Sequence, residues 1–276
     1  MNIENRSRSN ALQLMDWRGY RGLEPLWFYT TLGLLFLTAC CLMAAVIDER
    51  LLYGVSVWSK PFKFSLSLAV YFATLLIFSR YLPFRCLRTG IGRLVAASLV
   101  FVAIAEVAYI TVQGALAEAS HWNFTTPFHS LMYSLMGIGA TWLVVALVWL
   151  GWVIGQSNDK GQPMVLAIVV GLGITVVLGG GFGGYLGGQT SHWVSASATD
   201  ANGIWLFNWT TDGGDLRVAH FFGLHGMQAV PLFTLLLPRH LDRNFACALV
   251  LTFAAVYATF SVYTFVQAIQ GQSFIG

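Results

Sequence analysis

Along most of this chain polar and apolar residues do not alternate. They are segregated into long apolar runs separated by short polar stretches. A run of about 20 apolar residues, wound as a helix, crosses a hydrocarbon core of ~30 Å. Seven such spans are predicted, over 26–48, 61–80, 94–116, 128–153, 164–187, 218–238 and 244–269. Lipid offers backbone groups no hydrogen-bond partners, so helices are the expected form. The predicted class is an all-α, polytopic integral membrane protein: a tail over 1–25, a seven-helix bundle over 26–269 with an outer cap loop at 188–217, and a tail over 270–276.

Composition sharpens this picture. Of 276 residues, 57% are hydrophobic and 10% charged, where a soluble domain carries roughly 25% charged residues. The net charge of +3 matters less than its placement. Eleven of the 15 Lys and Arg fall on one side: the amino-terminal tail, the 2–3 loop with Arg80, Arg85, Arg88 and Arg93, Lys160, and the 6–7 loop with Arg239 and Arg243. Basic loops stay inside, so the amino terminus is expected in the cytoplasm, the carboxyl terminus outside, and the protein in the plasma (inner) membrane. That placement explains the positive charge without a nucleic-acid partner; the expected partner is the lipid bilayer. No apolar stretch precedes Leu26, so the first span is expected to remain as an anchor. Trp17, Tyr20, Trp27 and Tyr29 are expected in the headgroup belt. Cys40, Cys41 and Cys247 lie in spans and Cys86 in a cytoplasmic loop, which argues against disulfides.

The chemistry-bearing positions are asymmetric in depth. Five of six histidines map to the outer half, with only His240 inside. Glu106, the single acid deep in a span, sits ten residues before the outer end of the third span, hence ~15 Å below it. Glu106, Tyr109 and Gln113 are spaced to share one helix face. Lys60, Lys63, Ser67, Tyr71 and Thr74 form a similar stripe on span two; His129 and Tyr133 open span four; Tyr257, Ser261 and Thr264 mark span seven. A charge facing lipid at mid-depth costs roughly 2.5–3.5 kcal/mol on insertion scales. These stripes are therefore expected to turn inward and line one outward-facing polar chamber. Lys60 and Lys63 either snorkel or attract an anionic group, with Asp48 and Glu49 as expected ion partners. His121 and His192 are expected to be solvated.

The stretch "DLRVAHFFGLHGMQAVPL" puts Asp215 and Arg217 at the outer mouth of the sixth predicted span and carries His220, His225, Gln228 and Pro231 within it. The two histidines diverge by roughly 140° around the helix, unlike a zinc pair on one helix. His225 and Gln228 share a face, and Pro231 frees the Met227 carbonyl for another polar partner. Span five, "MVLAIVVGLGITVVLGGGFGGYLGG", has nine glycines between Gly171 and Gly188. It is suited to close helix packing, or to a flat or locally unwound surface against a ring-shaped cofactor.

Three functions fit. The first is a haem b or quinone-linked redox protein, with His129 and either His220 or His225 as axial ligands. Glu106 would then relay protons, and the surrounding polar residues would hold a ligand. The second is a metal-dependent enzyme acting on a lipid, with zinc or iron on His129, His220 or His225, and Glu106 or Asp215. The adiponectin-receptor and alkaline-ceramidase superfamily is the natural comparison there. Its last-helix His-x-x-x-His is absent, because span seven has no histidine. The third is a proton-coupled carrier exchanging protons at Glu106. A retinal protein is excluded: the lysines are Lys60, Lys63 and Lys160, none in the last span.

Overall fold

The structure, a computed structural model, describes Gly19 and residues 24–275. The amino-terminal tail, with Trp17 and Tyr20, lies otherwise outside the described residues. The main helices are α1 (Pro25–Ile47), α2 (Ser59–Phe78), α3 (Gly90–Ala115), α4 (Pro127–Ser157), α5 (Pro163–Ile174), α6 (Gly180–Gly187), α7 (Leu216–Leu224), α8 (Gly226–Leu236) and α9 (Arg243–Ile269). Two strand pairs sit in loops: β1 (Leu51–Leu52) with β2 (Val55–Ser56), and β3 (Trp193–Val194) with β4 (Gly214–Asp215). Among the described residues six helical stretches are long and apolar enough to cross a membrane, α5 and α6 counting as one through a π-helical turn at Thr175–Gly179.

The sixth predicted span, 218–238, is two shorter helices, α7 and α8, which part at His225. The break falls six residues before Pro231, so the proline is not its site. Crowding with the π-helical turn of span five offers a reason. A Cβ on Gly223 would lie 2.6 Å from the Gly179 amide nitrogen, so the two backbones meet where side chains would stand. Gly171, Gly179 and Gly183 of span five thus serve close packing, beside a local π-helical turn, while Gly173, Gly181, Gly184 and Gly187 face open space.

Most of the buried apolar side chains form one cluster, with Phe72, Leu75, Leu99, Leu147, Ile154 and Met227 among its members. Trp27 is 0% exposed and donates its indole N–H to the Ala96 carbonyl at 3.3 Å. This corrects its expected place in the headgroup belt; Tyr29, at 57% exposed, does face outward.

The loops gather at two ends. At one, the Asp200 amide bonds the Tyr53 carbonyl at 2.9 Å and the Trp122 indole bonds the Gln189 carbonyl at 2.8 Å. At the other, the Asn158 amide bonds the Tyr81 carbonyl at 2.7 Å, and Arg243 reaches Asp159 and the Gly161 carbonyl. The α1–α2, α3–α4 and α6–α7 connections, the last being the cap, therefore share one end.

Candidate functional site

Beneath the cap, α2 and α7 bring Lys60, Lys63, Asp215 and Arg217 to one place. Asp215 caps α7, its carboxylate accepting from the Arg217 amide at 3.0 Å and the Thr210 amide at 3.1 Å. The Arg217 guanidinium grips Asp215 at 2.7 Å and Asp200 at 2.8 Å, and donates to the Asn208 carbonyl at 2.6 Å. Paired, charge-assisted bonds of this kind are the strong ones, and they tie the cap loop to α7. Asp200 also meets His192 Nε2 at 3.2 Å. Burial makes ionisation of Asp200 harder, yet bonds from His192 and Arg217 outweigh this and hold its carboxyl below the usual range. Burial lowers the pKa of His192, which the Asp200 contact only partly offsets.

Lys63 donates to the Asn208 side-chain carbonyl at 2.7 Å and to the Phe207 backbone carbonyl at 3.1 Å. Ser59 donates to the same Asn208 oxygen at 3.0 Å. Lys60 lies over the Phe64 ring at 5.9 Å. The expected partner Asp48 is instead committed to Arg50 at 2.7 Å and to the Trp58 indole at 2.8 Å, so it does not pair with either lysine.

An aromatic wall flanks Lys60. His121 packs between Phe64, Trp122 and Tyr133, with ring centres 5.6, 6.1 and 6.0 Å away. Burial pushes its pKa well below the ordinary histidine value, and the nearby Lys60 charge adds to this. His192, 7% exposed, packs on Trp122 and Trp193. His192 is thus packed rather than solvated, and His121 is half-buried among these rings. His192 Nδ1 and the Trp193 indole nitrogen are buried without a hydrogen-bond partner among the described residues.

The remaining predicted residues lie elsewhere. Glu106, buried on α3, faces α4, where a Cβ on Gly139 would lie 2.6 Å from its Oε1. Tyr109 has a buried hydroxyl without a partner, while Gln113 donates to the Ala119 carbonyl at 3.3 Å. Tyr133 donates to the Gly187 carbonyl at 2.8 Å. His129 has both ring nitrogens engaged, Nδ1 with Thr125 and Thr126 and Nε2 with Glu118 at 3.3 Å. His220 contacts the Gly179 carbonyl through Nδ1 at 3.0 Å. His225 packs on Phe221 with ring centres 4.2 Å apart, and Gln228 donates to Thr74 at 3.0 Å. No hydrogen bond or ring contact among the described residues joins Glu106 to His225.

His129 offers no spare ring nitrogen, and among the described residues no three His, Cys, Asp or Glu side chains gather where they could hold a metal ion. The sequence reading missed Asp200, Asn208 and Ser59, which complete the network under the cap. The "NWT" at 208–210 draws attention to Asn208 only as a sequon. Asp200 stands in a Ser/Thr-rich loop with no periodicity to mark it.

This arrangement defines an all-α chain with several membrane-length apolar helices and an ionic site at one loop-rich end. Comparison with family models, characterised proteins and solved structures finds no match to the chain.

Proposed function

We propose that this protein is a seven-span integral membrane protein of the plasma membrane that binds a small ligand at an outward-facing mouth. In this reading α7 and α8 together form a discontinuous sixth span and α9 the seventh, the amino terminus is cytoplasmic, and the capped end faces outward. The basic loops at 79–93, 158–162 and 237–243 support that orientation. The observation that carries the function is the convergence of Lys60 and Lys63 from α2 with Asp215 and Arg217 from α7, under a cap bonded to both helices. Ionisable groups gathered in or beside a membrane are costly and mark ligand or ion sites.

A panel of small solutes tested on the protein in lipid nanodiscs checks this reading. The expected result is at least one solute that raises the Tm and slows amide exchange over 59–64 and 200–217. A panel that moves neither counts against it.

A second reading, a proton-coupled carrier, is favoured by one observation: the α7–α8 break lies against the π-helical turn of span five. Interrupted helices that meet near mid-membrane are the form carriers use to expose backbone groups to a substrate. Uptake into proteoliposomes that collapses in Glu106→Gln with binding intact supports the carrier; binding without uptake leaves the simpler receptor.

A further inference from the structure

The charges under the cap do not balance. Three cations, Lys60, Lys63 and Arg217, face two carboxylates, Asp200 and Asp215, and Arg217 takes both. Lys63 is left with two neutral carbonyls, and Lys60 has no hydrogen-bonded oxygen among the described residues. An ammonium withdrawn from water without an anionic partner is costly, and the cost falls when an anion arrives. Solvent-facing lysines avoid this by snorkelling. Here Lys60 is half-buried, one turn from Phe64, and its charge is felt by the packed ring of His121. On the same side, His192 Nδ1 and the Trp193 indole nitrogen are buried without a hydrogen-bond partner among the described residues.

One contact indicates what the partner resembles. The Asn208 Oδ1 receives Ser59 Oγ–H at 3.0 Å and Lys63 at 2.7 Å, the two-donor grip given to one oxygen of a carboxylate or phosphate. Asn208 offers that oxygen without the charge. It sits at the base of a tight turn closed by the Ile204 and Asn208 backbones, with Trp205 at the tip, 86% exposed. We propose that Ser59, Lys60 and Lys63 form a binding site for a small oxyanion, a carboxylate or phosphate group, whose place on Ser59 and Lys63 is held by the Asn208 side chain until the ligand displaces it. This rests on the outward-mouth reading above and names its ligand class. The displaced side chain would loosen the turn over 201–207, while the Arg217 bonds to Asp200, Asp215 and the Asn208 backbone carbonyl keep the rest of the cap seated.

The test uses the full-length protein in phosphatidylcholine nanodiscs, titrated with inorganic phosphate and, separately, with acetate. A parallel arm exchanges in phosphatidylglycerol and measures lipid retained after detergent washing. Saturable binding of a soluble anion identifies a solute site, and selective retention of phosphatidylglycerol identifies a lipid headgroup. Either result supports the proposal if it weakens at least about tenfold in Lys60→Met. Asn208→Ala removes the competitor, so affinity should rise about threefold or more, and protease cleavage within 201–208 should increase. Asn208→Asp supplies an internal carboxylate and should weaken binding while protecting the same turn. This variant is nearly isosteric and separates displacement from misfolding. The proposal is overturned if neither anion nor phosphatidylglycerol binds, or if binding is unchanged in Lys60→Met and Asn208→Asp. Binding of only neutral or cationic solutes at the mouth overturns the oxyanion while leaving the outward-mouth reading intact; no solute of any class binding ends both.

Discussion

Glu106 shows what a single absent side chain permits. Its carboxyl lies on the α3–α4 seam because Gly139 has no Cβ there; a methyl group would stand 2.6 Å from Oε1. The contact is with a carboxyl oxygen, so Gly139→Ala should displace the acid and destabilise the protein by about 1–3 kcal/mol, the usual cost of overpacking. Combining it with Glu106→Ala should recover much of that loss, a coupling measured by a double-mutant cycle on the thermal unfolding midpoint. Simple additivity would mean that the alanine acts through something other than this contact. Sequence periodicity identifies Glu106 as unusual, but it cannot show that Glu106 faces a glycine on the next helix while Tyr109 and Gln113 make separate local arrangements.

At the scale of an element, the α7–α8 break is the clearest departure from a regular span. A broken helix frees backbone groups that lipid cannot satisfy. Thr175 Oγ1 meets two of them, donating to the Leu224 carbonyl at 3.1 Å and accepting from the Met227 amide at 2.9 Å. Tyr257 donates to the Phe222 carbonyl at 2.7 Å from α9. Leaving such groups unpaired costs about 1–3 kcal/mol each. Thr175→Val should therefore lower stability by that order and speed amide exchange over 222–228 while sparing α1 and α2. Uniform acceleration across the bundle would argue that Thr175 supports the fold at large and not the break. Helix limits were legible because apolar length and flanking polar residues are local properties: α1, α4 and α9 begin within a residue of their predicted starts. The break was not legible, since Pro231 drew attention to the wrong turn and close approach by Gly179 is a tertiary fact.

For the whole molecule, the cap is held by charge and should respond to acid. His192 and His121 have pKa values lowered chiefly by burial, so unfolding or undocking lets each take up a proton near the ordinary value of about 6.5. Their contribution to stability is complete above that pH and declines as pH falls below it. Asp200, held below the carboxylate range, adds a second loss as pH falls beneath about 4. Intrinsic-rate-corrected amide exchange over 188–215 should rise between about pH 7 and about pH 5.5, and His192→Gln should flatten part of the rise. Flat protection of the cap across that interval would rule out the histidine linkage. Orientation is tested separately: an impermeant maleimide should label Ser197→Cys in intact cells, and native Cys86 only after permeabilisation. The reverse pattern would invert the assignment drawn from basic loops.

Composition and apolar run length were sufficient to determine an all-α, membrane-type chain, the approximate limits of its helices and which loops carry the positive charge. These follow from the sequence because hydrophobic length and backbone satisfaction act on consecutive residues. Which polar side chains meet was decided only in the tertiary structure. Lys63 and Asn208 are 145 positions apart and bond at 2.7 Å, whereas Glu106 and Tyr109, three apart on one helix, share no hydrogen bond. Side-chain pairing depends on the rotation and approach of whole helices and on how a thirty-residue cap folds back over them, and local sequence pattern encodes neither.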